Sequence, residues 1–126
     1  ADNITLFRVE EMHLIAAETS LRAGNAADAL SYLNNIPAIR GLGADYYASA
    51  TLENILEERR KEFAFEGLRF HDLSRMGMDM PQIDSFKQLN DDLTGTPPTY
   101  GSHRYAYPIA LAERNANPNM VQNYGY

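Results

Sequence analysis

The sequence contains no cysteine among its 126 residues, which excludes structural disulfides, thiol catalysis and cysteine-ligated metal sites. It also contains no apolar run that approaches the roughly 18 residues a membrane-spanning helix needs. Basic residues are outnumbered, since 11 Lys and Arg face 17 Asp and Glu and give a formal net charge of −6 at pH 7. Because no basic patch offsets this balance, we expect no nucleic-acid partner.

Motifs of familiar catalytic and metal sites are also missing. The three histidines are isolated, and none has the spacing that places two metal ligands on one helical face. No serine lies in a nucleophile elbow, and the short segment Gly41-Leu42-Gly43 follows a predicted helix rather than the strand that a phosphate loop requires. We therefore expect no catalytic residue, no bound metal and no cofactor.

The residues that are present have the composition of an ordinary globular chain, with 44% hydrophobic and 22% charged residues. This length suits one domain with a modest core. The spacing of the apolar residues predicts an all-α fold, mostly helical with long irregular loops.

Two helices are predicted in the first third of the chain, over residues 6–23 and 26–36. Gly24 is suited to end the first helix and Asn25 to cap the second, so the pair is predicted to form an antiparallel αα-hairpin. Pro37 predicts a kink or an early stop, because proline lacks an N–H and its ring clashes with the preceding turn. The apolar faces are expected to hold Val9, Met12, Ile15, Ala16 and Thr19, widened by Leu14 and Leu21, in the first helix, and Ala26, Ala29, Leu30, Leu33 and Ile36 in the second.

The most strongly patterned stretch covers residues 57–75, where charged residues alternate with large apolar ones. Glu58, Glu62 and Glu66 recur every four residues, so on a helix they would form one ladder. Gly67 is the predicted C-terminal stop of that helix.

One basic residue lies on the apolar stripe of the same helix, which is formed by Leu52, Ile55, Leu56, Arg59 and Phe63. Because a buried guanidinium must be paired, we expect Arg59 to contact a carboxylate, either Glu62 or one from another element. Thr51 is the predicted N-cap. A second helix, over residues 68–76, is expected to end at Gly77.

The glutamate ladder could instead supply paired carboxylates for acid–base catalysis or for a hard metal ion. Ion pairing is the favoured interpretation, because four basic residues lie along the same segment and oppositely charged groups satisfy one another: Arg59, Arg60, Lys61 and Arg69.

The remainder of the chain, residues 77–126, is predicted to be mostly loop, with two short strands around Tyr100 and Tyr105. The eight tyrosines are many for this length, and the apolar faces of sugar rings stack on flat side chains. Tyr46, Tyr47 and Tyr100 lie in loops and are therefore weak candidates for ligand contacts. The favoured alternative is that these tyrosines cover a small core with their hydroxyls in water.

Three blocks of residues follow longer patterns. They are the helix from Arg8 to Glu18, read as Arg-x-x-Glu-x-x-Leu-x-x-Ala-Glu; the run Glu58-Arg59-Arg60-Lys61-Glu62, Glu66-Gly67-Leu68-Arg69 and Asp72-Leu73-Ser74-Arg75; and the tail Tyr107-Pro108-Ile109, Glu113, Asn117-Pro118, Gln122-Asn123 and Gly125-Tyr126. Together these blocks resemble the SusD/RagB family of outer-membrane nutrient-binding lipoproteins. The chain departs from the family pattern where Ala110 and Tyr124 replace prolines, and where Arg40 is the available substitute for the arginines that usually follow the second helix.

The resemblance implies that residues 1–126 form the C-terminal segment of a longer SusD-like protein, and three parts are expected within it. These are a helical hairpin similar to a tetratricopeptide repeat over 6–40, a signature helix pair over 51–76, and a loop with a C-terminal tail over 77–126. The resemblance also implies a structural role for Gly67 and a structural ion network made of Glu58, Arg59, Glu62, Glu66, Arg69 and Asp72.

The function implied by the resemblance is binding of a nutrient, usually a glycan, and its transfer to a SusC-like TonB-dependent transporter in the outer membrane. The protein would be lipid-anchored at the cell surface through its N-terminal region, and would not be an enzyme. Family ligand sites lie mostly in loops upstream of this segment, so this chain would be mainly scaffold for the remainder of its own chain. The alternative is a helical-repeat module that binds a protein or peptide and no sugar.

Overall fold

The computed structural model describes residues 7–81 and 97–126. Within those residues all regular structure is helical and no strand forms, so the all-α prediction is confirmed. The chain divides into two compact units, Ala1–Arg69 and Phe70–Tyr126.

The first unit begins with an antiparallel hairpin of α1 (Val9–Arg22) and α2 (Ala26–Ile39). The turn between them closes when the Gly24 N–H donates to the Leu21 carbonyl at 3.0 Å and the Asn25 N–H donates to the Ser20 carbonyl at 2.9 Å. Gly24 has a φ of +84°, which glycine adopts without steric cost, so the predicted stop is confirmed. Asn25 occupies the predicted N-cap position of α2, but its side chain makes no capping hydrogen bond.

The core of this unit lies where the hairpin meets the next helix, and its buried members are Leu14, Ala17, Leu33, Ile36, Ile55 and Phe63. The centre of the face predicted for α1 is wrong, because Val9 is 68% exposed and Met12 and Ile15 are exposed as well. Leu14, predicted at the edge of that face, is fully buried, and Ala17 lies in the core beside it. Small Ala17 packs among the larger core residues, which brings this face of α1 rather than the bulkier one into the core.

Pro37 does not stop α2, which continues to Ile39, so the early stop predicted there is wrong. Proline removes one helical hydrogen bond, but only in the last turn of the helix. The ring is fully buried, and its packing offsets that loss. The Pro37 carbonyl also accepts a hydrogen bond from the Leu42 N–H at 2.9 Å, which closes the helix end.

The third helix, α3 (Leu52–Glu62), starts as predicted, because the Thr51 hydroxyl accepts the Asn54 N–H at 3.1 Å. It ends earlier than predicted, with Phe63 rather than Gly67 at its C-terminal end. Phe63 is buried in the core, while the exposed Phe65 adopts a left-handed φ of +67°. Glu66 therefore lies beyond the helix and not on a continuous glutamate ladder.

The next helix, α4 (Leu68–Arg75), lies mostly in the second unit. Gly77 closes its C-terminal end as predicted, and the Met78 N–H donates to the Leu73 carbonyl at 2.9 Å. A 3₁₀ turn (His103–Tyr105) and a short α5 (Leu111–Ala116) follow. The strands predicted around Tyr100 and Tyr105 are wrong, since Tyr100 lies in a turn and Tyr105 in the 3₁₀ segment. A turn forms at Tyr100 in place of a strand, because the Tyr100 N–H donates to an Asp79 carboxylate oxygen at 2.7 Å and not to a neighbouring strand.

Candidate functional site

The best-defined polar site of the first unit is an ion cluster centred on Glu62, whose side chain is only 6% exposed. Arg40 reaches it from the end of α2, with its Nη2 2.5 Å from Oε1 and its Nε 3.1 Å from Oε2. Arg8 reaches it from the start of α1, with Nη2 3.1 Å from Oε1. The hydrogen bond from Arg40, reinforced by both positive charges, holds the pKa of the Glu62 carboxyl below its usual range against the opposing effect of burial.

Arg8 also closes the end of α3. Its Nη2 donates to the Glu62 carbonyl at 3.0 Å, and so satisfies a backbone acceptor that the helix leaves without an internal partner. The same Nη2 lies 3.0 Å from Oε1 of Glu66. One arginine thus ties the start of α1 to both acidic residues on either side of the α3 end.

Two guanidinium groups lie over the buried ring of Phe63. The Cζ atom of Arg8 is 5.0 Å from the ring centroid and that of Arg59 is 5.2 Å from it, both within the range of cation–π attraction. Arg59 is buried, as its place on the apolar stripe predicts. Glu62, one of the carboxylates suggested for it, contacts Arg8 and Arg40.

Glu58 is also buried, and its partner comes from the loop between α2 and α3. Its Oε2 accepts a hydrogen bond from the Tyr47 hydroxyl at 2.7 Å. The Asn34 side chain holds the Tyr47 backbone at two points, accepting its N–H at 2.9 Å and donating to its carbonyl at 3.0 Å. Burial, followed by the contact with Glu58, raises the pKa of the Tyr47 phenol well above its usual range. Tyr47 therefore anchors the α2–α3 loop to the helices through its hydroxyl, backbone and ring.

The neighbouring candidate, Tyr46, is half-exposed and meets the Tyr47 ring edge-on at a centroid distance of 4.8 Å. Lys61 Nζ lies 5.4 Å from the Tyr46 centroid and 3.3 Å from the Tyr47 hydroxyl oxygen. The structure thus brings two of the candidate ligand tyrosines together, beneath a lysine from α3. Whether Tyr46 contacts a ligand stays a prediction.

Arg69 and Asp72, the two other residues of the expected network, have contacts of their own. The hydrogen bond from Arg60 lowers the pKa of Glu57, and the charge of Arg69 adds a smaller effect in the same direction. The Arg69 Nε is buried and has no hydrogen-bond partner among the described residues. Asp72, in the second unit, is buried and accepts a hydrogen bond from Arg75 Nε at 2.9 Å.

Sequence reasoning missed the partners that come from distant segments. Arg8 is 54 residues from Glu62 along the chain. Tyr47 lies in the loop before α3, whereas its partner Glu58 lies within α3. The signal for Arg8 was its place at the head of the first patterned helix, but nothing in that spacing names its partner.

The second unit contains an aromatic cleft, lined among others by Phe70, Arg104, Tyr105, Tyr107 and Tyr126, with a volume of about 260 Å³. The third candidate tyrosine, Tyr100, is half-exposed, and its ring meets that of Tyr105 edge-on at 5.6 Å.

Side-chain amides hold the C-terminal tail in place. Gln122 pairs with the backbone of Ile109, accepting its N–H at 2.9 Å and donating to its carbonyl at 3.1 Å. Asn123 Nδ2 donates to the Tyr107 carbonyl at 2.8 Å, and the Tyr126 hydroxyl donates to the Ala106 carbonyl at 2.7 Å. These side-chain hydrogen bonds satisfy backbone groups of the tail that a β-strand would pair through its hydrogen-bond ladder.

No group of three or more His, Cys, Asp or Glu side chains is placed to hold a metal ion within residues 7–81 and 97–126. In the same described ranges, no helix has the length and apolar character needed to cross a membrane.

This chain is similar in structure to part of a solved SusD superfamily protein from Bacteroides vulgatus. The two chains superpose with a TM-score of 0.75 and are 32% identical, over 97% of this chain and 28% of that one. The SusD family profile matches residues 1–126. This chain therefore belongs to the SusD family, as its sequence motifs predict.

Two named relatives support the assignment. The starch-binding protein SusD of Bacteroides thetaiotaomicron is 32% identical over 124 residues, which are 98% of this chain and 22% of that protein. The SusD-like protein P25 of Formosa agariphila is 26% identical over 135 residues, which are 98% of this chain and 24% of that protein. The chain thus spans about a quarter of the length of the curated relatives that it matches.

Proposed function

We propose that this chain is part of a nutrient-binding protein of an outer-membrane SusC/SusD-type uptake system, that the nutrient is a glycan, and that the chain is mainly scaffold. The observation that carries this proposal is the Glu62 cluster in a chain 32% identical to a starch-binding protein. The cluster joins the start of α1, the end of α2 and the end of α3, so its charges are engaged in holding elements together.

The scaffold role is supported by a surface that the described residues leave open. Val9, Met12 and Ile15 form an exposed apolar stripe along α1, and an apolar stripe on a helix normally packs against another element. We propose that the remainder of a longer protein covers it, in the way that neighbouring repeats cover one another. The proposed parts of the segment are the hairpin over 6–40, the signature helices over 51–76 and the tail over 77–126.

The remaining parts of the proposal concern the whole protein. Its partner would be a SusC-like TonB-dependent transporter, and its place would be the cell surface, held by a lipid anchor outside this chain. We also propose that it is not an enzyme. In support, the carboxylate of Glu62 is engaged by two arginines and that of Glu58 by Tyr47, so both are used in structural contacts.

The second candidate function, a helical-repeat module that binds a peptide, is favoured by the same exposed stripe on α1. A glycan array probed with the full-length protein separates the two. We expect binding to one or more glycans. No signal on any glycan, together with capture of an amphipathic helical peptide that is lost in Met12→Glu, would favour the peptide module instead.

A further inference from the structure

The aromatic cleft of the second unit has a floor that is fixed before any ligand arrives. The rings of Phe70 and Tyr105 are stacked, with centroids 5.4 Å apart and planes inclined by 28°. Tyr105 is buried, and its hydroxyl donates to the Met78 carbonyl at 2.8 Å. A floor held by stacking and by a hydrogen bond loses little conformational entropy when a ligand binds.

The exposed sides of the cleft are two tyrosines from the tail. The Tyr107 side is held by the hydrogen bond from Asn123 to its carbonyl, yet the residue is 85% exposed. The Tyr126 hydroxyl is bonded to the Ala106 carbonyl, and its ring meets that of His103 edge-on at 5.5 Å. The tail thus presents aromatic surface to solvent from an anchored backbone.

We propose that this cleft binds one neutral hexopyranose residue of a glycan, an inference that rests on the proposed glycan-binding function. The apolar face of a sugar ring would stack on the exposed Tyr107 ring, above the floor formed by Phe70 and Tyr105. Arg104 lines the same cleft, and its guanidinium carries five N–H donors, so it can donate to sugar hydroxyls beside its contacts within the protein.

The size of the cleft limits the ligand to about one ring. Pockets for drug-sized ligands span roughly 300–1,000 Å³. The volume here, about 260 Å³, lies just below that range. The cleft would therefore hold one residue of an oligosaccharide, with weak affinity by itself, and would add to a stronger site elsewhere in the full-length protein.

The test uses the full-length protein labelled with 3-fluorotyrosine, titrated with maltoheptaose and cellohexaose and followed by ¹⁹F NMR and calorimetry. The Tyr107 and Tyr126 signals are assigned from the Tyr107→Phe and Tyr126→Phe variants. We expect both signals to shift with sugar, while that of Tyr124, which is 93% exposed in the same tail, stays unchanged. Tyr107→Ala should weaken the Tyr126 response by about tenfold, and Tyr124→Ala should leave it as it is.

Three kinds of result would overturn this inference, and they differ in what they say about the proposed function. Calorimetric heat without a shift at Tyr107 or Tyr126, or shifts that survive in Tyr107→Ala, would rule out the cleft and leave glycan binding standing. The absence of both heat and shifts would count against the glycan and the cleft together. A Tyr107 response to an added peptide and to no sugar would show that the cleft takes a different ligand.

Discussion

Replacing Glu62 with glutamine tests the ion cluster most sharply, because it removes the charge and keeps the volume. The carboxylate accepts hydrogen bonds from Arg40 and contacts Arg8, while its own side chain is almost fully buried. The glutamine amide offers one acceptor oxygen in place of two and turns its NH₂ group toward two cations. The variant therefore weakens the join between α1, α2 and α3 at a single point.

The magnitude follows from the exposure of the three groups. Breaking a fully buried ion pair costs roughly 3–5 kcal/mol, and breaking a surface pair costs roughly 0–1 kcal/mol. Glu62 belongs to the first class, but the Arg8 and Arg40 side chains are 29% and 47% exposed and can recover water. We therefore expect Glu62→Gln to lower the free energy of unfolding by about 2 kcal/mol.

The assay is urea unfolding followed by far-ultraviolet circular dichroism, with Glu57→Gln as the matched control. Glu57 lies on the same helix, but pairs with Arg60 on the exposed surface, so its loss should cost about 0.5 kcal/mol or less. Equal and small effects of the two variants would refute the reasoning.

The pH dependence gives a second check on the same cluster. Folding lowers the pKa of Glu62, so its ionised carboxylate adds to the free energy of unfolding. This contribution is complete above the ordinary glutamate pKa of about 4.3, and it is lost as the pH falls through the lowered pKa of the folded state. The difference between the wild type and Glu62→Gln should therefore shrink below about pH 4. A difference that stays constant down to pH 2 would show that the cost is not due to the charge.

The remaining predictions concern a tyrosine and a glycine. Tyr47→Phe should lower the free energy of unfolding by about 1.5–3 kcal/mol, because a buried carboxylate loses its hydroxyl donor, whereas Tyr46→Phe should change it by about 0.5 kcal/mol or less in urea unfolding. The pKa of the Tyr47 phenol is raised, so in the wild type it should ionise at the alkaline end of an absorbance titration. Tyr47→Phe should therefore lose absorbance change at that alkaline end. Gly125→Ala should loosen the tail and speed its proteolysis, because the new Cβ would lie 2.3 Å from His103 Cγ. Gly101→Ala is the control, since Gly101 also has a positive φ but no atom of the described residues would lie within 4 Å of its new Cβ.

Local patterns predicted the parts of the fold that local chemistry decides. The Thr51 cap and the turns at Gly24 and Gly77 depend on residues within a few positions of one another, and the structure has all of them. The buried side of α1 could not be predicted from neighbouring residues in this way. Its exposed stripe is as apolar as its buried one, so which stripe faces α2 depends on close packing of small residues across the hairpin.

The sequence predicted which residues belong to the polar sites better than it predicted which residues pair with one another. Glu58, Glu62 and Arg59 were singled out by the sequence. The groups that contact the two glutamates come from other segments, namely Tyr47 for Glu58, and Arg8 and Arg40 for Glu62. Periodicity describes one helix at a time and does not report which distant side chain meets it. The aromatic cleft was missed for the same reason, since α4, the 3₁₀ turn and the tail each supply one side of it.

The most direct test of the account is a calorimetric titration of the full-length protein and of residues 1–126 alone against the same neutral oligosaccharides. We predict clear heat of binding from the full-length protein, and from the isolated chain at most the weak binding expected of one small cleft. Comparable affinity in the isolated chain would contradict the scaffold role, and its loss in Tyr46→Ala would place the ligand site in the α2–α3 loop. No binding by either protein would contradict the proposed glycan function itself.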